Sequence, residues 1–447
     1  MSRSSDAGHF FQTTASLSEI ERRAAKSKNT AGDPIKFSSK ILALLADPED
    51  ADVGFVAEAA AVVRRVRLES KNTSVAFTGP TAPVTCLALS SSNAKDQPRT
   101  LFAGSWDKSI YAYSVPSSSP SSSQPIRKYV AGGHTDFVKA IVYVQIPLPV
   151  EKGRATERRG YKELLVSGGQ DAKIIIWDVQ TGKALKTLKG HARGVQCLAI
   201  DPLSLPGADF QADNSTTSNG AADTSGIILF SADTTREIRR WRIRLTSTGD
   251  IDAAQIDLDD KPEDFVGPID PIVAHETSIY TLHFDADGDL WTASADKSVK
   301  CLSRERKWTT EMELPHPDFV RDVVVDEAGG WVVTVCRDEE VRVWERGEGR
   351  LRCVYSGHWE EVTSVAIVGT GGRRRVVSGS IDGTVRSWSL APDEMGKVME
   401  ERERVERGEL KEEEETETET ALPGKAGERL MTEEEERELA ELMDEDD

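Results

Sequence analysis

Short alternating apolar runs, separated by Gly, Asp, Asn and Pro, fill most of this chain and predict strands and tight turns rather than long helices. One stretch recurs. Residues 166–178 read Val-Ser-Gly-Gly-Gln-Asp-Ala-Lys-Ile-Ile-Ile-Trp-Asp, residues 377–388 read Val-Ser-Gly-Ser-Ile-Asp-Gly-Thr-Val-Arg-Ser-Trp, and residues 333–344 read Val-Thr-Val-Cys-Arg-Asp-Glu-Glu-Val-Arg-Val-Trp. Each copy is a strand, a turn carrying an Asp, and a second strand ending in Trp. Asp296, Asp338 and Asp382 stand 42 and 44 residues apart, the period of a repeating four-stranded unit.

A second signature lies upstream of the Trp: Gly133-His134, Gly190-His191 and Gly357-His358, with Ala274-His275 and Pro315-His316 as weaker forms. On these residues the chain resembles the WD-repeat β-propeller family, strongly over 80–390 and weakly over 35–78. The resemblance implies an all-β, seven-bladed propeller of four-stranded antiparallel blades. It also implies a structural network in each blade, in which His, a Ser or Thr, the turn Asp and the Trp are hydrogen-bonded in series. The complete sets are His134, Ser167, Asp171 and Trp177; His316, Thr334, Asp338 and Trp344; and His358, Ser378, Asp382 and Trp388. Other units depart from it. Thr235 stands where an Asp is expected between Ser231 and Trp241, and Leu302 takes the Trp place after His275, Thr292 and Asp296. Pro80 and Tyr113 take the His and Trp places around Asp107. Because these polar residues recur once per blade, they read as structure and not as a catalytic pair.

Six units account for 80–390. A seventh is read from Lys40–Ala46, Val53–Ala57 and Val62–Leu68, with Ser74–Thr78 as its outer strand. The last unit stops at Leu390 without an outer strand, and residues 9–15 (His-Phe-Phe-Gln-Thr-Thr-Ala) are expected to supply it and close the ring. Ser18 with Glu21 fits a capping box opening a short helix over about 18–28. The expected organisation is an N-terminal segment 1–34, a propeller 35–391, and an acidic, largely disordered tail 392–447 carrying a short helix at 432–443.

Charge separates the tail from the body. The chain carries −20, and residues 393–447 hold 24 Asp and Glu against 8 Lys and Arg, a net −16 that leaves only −4 elsewhere. Glu400–Glu419 has no apolar face and cannot offset its ordering entropy. Beyond it, Thr432 and Glu435 form a capping box, and Leu439, Leu442 and Met443 follow at helical spacing. These three are the expected tail motif, placed to fold in a partner's groove; the acidic tail around them either engages basic proteins or serves only to keep the chain soluble. Tethering would also give the tail a high effective concentration at the propeller face. The five cysteines form no Cys-x-x-Cys pair and read as reduced core thiols, consistent with a cytoplasmic or nuclear protein. No apolar run is long enough to span a bilayer.

The sequence contains no Gly-rich phosphate loop, no nucleophile elbow and no metal-spaced cluster, so no catalytic residue, metal or cofactor is expected. A small-molecule substrate and direct nucleic-acid binding are likewise not expected. In the family, the face around the channel entrance receives peptides. Carried onto this chain, that face comprises Trp106, Phe137, Lys139, Gln170, Gln196, Tyr280, Phe319, Arg321, Arg337 and Thr363, with Glu361 its clearest acid. Aromatics beside cations suit an acidic or phosphorylated peptide. The leading reading is a non-catalytic scaffold that assembles a multiprotein complex. A substrate receptor of a cullin-type ubiquitin ligase is the alternative, from a box-like stretch at 228–244 that ends in Arg244 but has Arg242 where an acid belongs. A ribosome or RNA-complex assembly factor is the third.

Overall fold

Strand after strand, the chain builds seven antiparallel sheets in sequence order, each running from a central axis outward. The computed structural model describes residues 22–24, 26–91, 98–115, 123–130, 132–148, 161–205, 226–246, 248–257 and 269–408. Blade 1 comprises Ile41–Ala46, Val53–Glu58, Val63–Arg67 and Asn72–Phe77; blade 2, Val84–Leu89, Arg99–Ser105, Ile110–Val115 and Arg127–Tyr129. Blade 3 comprises Val138–Pro147, Tyr161–Gly169, Lys173–Asp178 and Ala184–Lys189. Blade 4 has Val195–Ile200, Ile227–Asp233, Glu237–Leu245 and Ile251–Ile256, and Ile272–Val273 also pairs with its third strand. Blade 5 has Ile279–Phe284, Leu290–Ser294, Ser298–Ser303 and Thr309–Pro315; blade 6, Val320–Asp326, Trp331–Cys336, Glu340–Glu345 and Leu351–Ser356. Blade 7 has Val362–Val368, Arg375–Ser380 and Thr384–Ser389. Each innermost strand lies beside the next, and that of blade 7 lies beside that of blade 1, so the ring is closed around a channel.

The outer strand of blade 7 is Ile35–Lys36, paired with Val385 and Thr384. Ring closure therefore joins the chain's beginning to its end, but through residues 35–36. The expected closing segment, 9–15, lies outside the described residues. Two residues suffice because the backbone just before them is also tied down. Ser387 N–H donates to Gly32 O at 2.7 Å, and the buried Arg386 guanidinium donates to the carbonyls of Asn29 and Ala31. Upstream, residues 22–24 and 26 are helical, within the helix expected at 18–28.

The core is distributed between blades. One apolar cluster fills each of the seven junctions, from Val53, Phe55, Val84 and Leu101 between blades 1 and 2 to Ile35, Ile41, Val377 and Val385 between blades 7 and 1. The strand faces explain this: alternate residues point to opposite faces of a blade, and both faces meet a neighbour. At the end of the ring opposite the Asp turns, four innermost strands end in a buried Asp that pairs with an Arg of the following blade. Arg99 meets Asp47, Arg304 meets Asp201, Arg346 meets Asp285 at 2.8 Å, and Arg374 meets Asp326 at 3.1 Å.

After Ser389 the chain forms a helix, Pro392–Glu406, where a disordered stretch was expected. Met395, Val398 and Met399, at helical spacing, pack onto the blade 6–7 cluster with Tyr355 and Trp388, and this apolar stripe orders the helix. The expected tail helix 432–443, with Leu439, Leu442 and Met443, lies outside the described residues.

Candidate functional site

The polar networks come first because they fix the loops that carry the site. In blade 3, His134 bridges Asp171 (Nδ1 to Oδ1, 2.9 Å) and Ser167 (Nε2 to Oγ, 2.8 Å), and Trp177 Nε1 donates to the same Ser167 oxygen at 2.8 Å. Blade 7 repeats this with His358, Asp382, Ser378 and Trp388 at 2.9, 2.8 and 2.8 Å. Each turn Asp also accepts the N–H two residues on, as Thr384 N–H to Asp382 Oδ1 at 2.7 Å, and this shapes the tight turn. Burial would raise the Asp171 and Asp382 pKa values, but their bonds to His134 and His358 hold both below the usual carboxylate range.

Three blades solve the same problem differently from the sequence expectation. In blade 4 the acid is Asp233, two residues before Thr235: His191 reaches Asp233 at 3.1 Å and Ser231 at 2.7 Å, while Thr235 N–H donates to Asp233. In blade 6, His316 bonds Thr334 at 2.8 Å and Trp344 donates to Thr334 at 2.9 Å, but Asp338 is outside that network. His316 Nδ1 turns to Leu314 O, and Asp338 is engaged by Arg342. Blade 5 keeps His275 on Asp296 and Thr292. In blade 2 the Tyr111 hydroxyl occupies the missing histidine's place, donating to Asp107 at 2.7 Å. His191, Asp233 and Glu237 bring ligand-type atoms within 4.8 Å of one another, but both His191 nitrogens are already committed and Glu237 holds Arg239.

At the channel mouth one irregularity repeats in every blade. Each innermost strand carries a β-bulge directly after its first residue. The bulged residues are Leu42, Thr85, Lys139, Gln196, Tyr280, Arg321 and Thr363. All are partly exposed, whereas the residue before each (Ile41, Val84, Val138, Val195, Ile279, Val320, Val362) is fully buried. A bulge re-aims one side chain out of the alternating pattern, which is how a strand buried on both faces presents a residue at its end. Five of the seven were expected site residues. Leu42 and Thr85 were not, although Thr85 follows Val84 as Lys139 follows Val138.

The ring is chemically lopsided. Thr85 and Thr363 spend their hydroxyls on ring carbonyls, Val138 O at 2.8 Å and Ile41 O at 3.0 Å. Arg321 lies over the Tyr280 ring, 4.2 Å from its centroid, and pairs with Glu361 at 2.8 Å. Lys139 lies 5.3 Å from the Trp106 ring centroid and has no ion pair among the described residues. Burial, and next the Arg321 charge, lower the Lys139 pKa. Trp106 stacks on the exposed Phe137 with centroids 5.0 Å apart and planes at 17°. Arg337 lies over Phe319, and Arg337 N–H donates to Phe319 O as Gln170 N–H does to Phe137 O. Gln170 in turn packs so closely on Gly194 that a side chain there would meet it at 2.6 Å. The result is an aromatic shelf at blades 2–3 and a cationic arc from Lys139 to Arg321.

Elsewhere, Arg244 of the box-like stretch pairs with Asp252 of the adjacent strand at 2.9 Å. The five cysteines are all buried and none is in a disulfide, and burial pushes the Cys86, Cys301 and Cys336 thiols up to about 12, far from nucleophilic range.

Comparison with known proteins agrees with this architecture. The family described as WD domain, G-beta repeat matches residues 71–114, 268–302, 308–345 and 349–389. An uncharacterized WD repeat-containing protein of Schizosaccharomyces pombe is 31% identical over 391 residues, covering 86% of this chain and 88% of its own. The nuclear distribution protein nudF of Aspergillus niger is 24% identical over 43% of this chain and 35% of its own. Mouse pre-mRNA-processing factor 19 is 22% identical over 45% of this chain and 32% of its own. The fold and repeat define a seven-bladed β-propeller of a class that typically mediates protein interactions. The chain belongs to the WD-repeat family.

Proposed function

We propose that this protein is a non-catalytic scaffold that holds partner proteins, and that its channel mouth takes an acidic or phosphorylated peptide segment. The observation that carries this is the bulge ring: seven partly exposed side chains on a rigid frame, with Lys139 and Arg321 as its cations. A carboxylate or phosphate there would gain charge-assisted bonds, and an apolar neighbour would rest on the Trp106–Phe137 pair. Phe319, Arg337, Gln170 and Gln196 extend the surface, and Thr363 serves to tie the ring. The membrane enters nowhere in this reading, since no described helix is long and apolar enough to cross one. A cytoplasmic or nuclear setting fits five buried cysteines with no disulfide among them. The relative named for pre-mRNA processing keeps assembly of an RNA-containing complex compatible with the same surface.

The test is direct binding, by fluorescence anisotropy, of labelled hexaglutamate and of a hexapeptide bearing phosphoserine. Lys139→Ala with Arg321→Ala is expected to weaken both by at least about tenfold, the loss of two charge-assisted contacts. Equal binding by the double variant would exclude the mouth as the site. Preference for one probe would separate carboxylate from phosphate recognition.

A further inference from the structure

The N-terminal strap, described at residues 22–24 and 26–34, lies on the rim of blades 6 and 7. Arg22 grips both Glu339 oxygens with two nitrogens at 2.8 Å, and Lys26 Nζ reaches Glu339 at 2.8 Å. Arg23 pairs with Glu360 at 2.8 Å. Glu339 is nearly buried, in the blade 6 turn with φ +75°, and carries two cations. Glu360 is chain neighbour to Glu361, the partner of Arg321 at the channel mouth. Both carbonyls of this pair rest on the Ser380 hydroxyl, at 3.0 and 2.9 Å, so the short segment carrying the two carboxylates is fixed.

We infer that the strap sets the charge of the channel mouth: by neutralising Glu339 and Glu360, it lets Arg321 and Lys139 attract an acidic ligand. The inference rests on the reading of that mouth as an acidic-peptide site. With the strap docked, two rim carboxylates are matched by Arg22, Arg23 and Lys26. With it undocked, Glu339, Glu360 and Glu361 crowd the same rim as Arg321. Glu360 directly precedes Glu361, whose carboxylate lies 2.8 Å from Arg321, so its charge belongs to the same rim and acts there through a salt-screened field. A fixed backbone leaves electrostatics as the coupling, and its sign follows from the charges. Losing the strap disfavours anions, and by reciprocity a bound anion holds the strap down. Arg22, Arg23 and Lys26 are thus specificity-determining residues that need not touch the ligand.

The experiment uses the full chain and labelled hexaglutamate at low ionic strength. Arg22→Ala, Arg23→Ala and Lys26→Ala together are expected to weaken binding about three- to tenfold, with the difference shrinking as salt rises. Adding Glu339→Gln and Glu360→Gln to that variant is expected to restore binding, because no carboxylates then need neutralising. A strap acting only as structural support would not be rescued by carboxamides. Should the triple variant not fold, Arg23→Ala alone carries the test, with an expected loss of about twofold. Wild-type affinity in the strap variant, or no recovery with the carboxamides, overturns the inference. If instead Lys139→Ala with Arg321→Ala binds as well as wild type, it is the underlying site that fails.

Discussion

Asp171 shows how much a single recurring residue does: it shapes its turn, fixes His134 and accepts the Thr135 N–H. Ser167, in turn, joins His134 to the Trp177 indole, so no member of the buried set lacks a partner. Trp177→Phe leaves this hydroxyl short of a donor, and an expected loss of about 1–2 kcal/mol would be read from urea denaturation. Acid separates three other groups that burial shifts. Burial takes His316 down to about 4, so the unfolded chain binds its proton first and stability is lost as pH falls from about 6.5 to 4. His283, also down to about 4 through burial, has the same sign. Asp322 is opposite: burial lifts it to about 6, the folded chain binds the proton first, and stability is gained as pH falls from about 6 to 4. Asp322→Asn should therefore steepen the loss between pH 6 and 4, measured as urea midpoints across that range. A flatter profile in the variant would contradict the assignment.

At the scale of elements, the bulge and the closure carry the account. The closing strand is two residues long and depends on Arg386, buried and holding the Asn29 and Ala31 carbonyls. Arg386→Ala is expected to destabilise the fold by about 2–4 kcal/mol, since it removes a buried, multiply bonded side chain, and to speed proteolysis near residues 29–36. Unchanged melting would mean that the strap is dispensable. Such an element escapes a sequence reading: two residues show no alternation, so the more strand-like 9–15 draws attention instead. Repeats were legible because a 42–44-residue period and a Trp after a turn Asp are local features. The Asp233 solution was hidden because the acid had moved two positions onto the end of its strand, and the Tyr111 solution because a hydroxyl replaced an imidazole. The bulged positions were reached through family likeness. Their physical cause, a register shift in all seven innermost strands, appears only once the strands are paired. The Pro392–Glu406 helix was missed because its apolar stripe, Met395, Val398 and Met399, stands just before the acidic run that dominates the composition.

Across the whole molecule, seven interblade clusters and four Asp–Arg pairs bind neighbour to neighbour, so stability is shared around the ring. The Asp–Arg pairs join residues far apart in sequence, 61 positions for Asp285 and Arg346, which is why no motif announces them. Arg346→Ala strands a buried Asp285 with the Trp291 indole as its remaining side-chain donor, and should lower stability by about 2–4 kcal/mol in calorimetry or urea unfolding. A rigid ring of this kind leaves the channel mouth as a preorganised surface, and the central claim is that acidic segments bind there. Hydrogen–deuterium exchange of the full chain with and without hexaglutamate tests it most directly. The account predicts added protection in peptides spanning 136–142, 278–284, 319–324 and 360–366, together with the strap at 22–34. Protection confined to the opposite end of the ring, or to the outer strands, would contradict it.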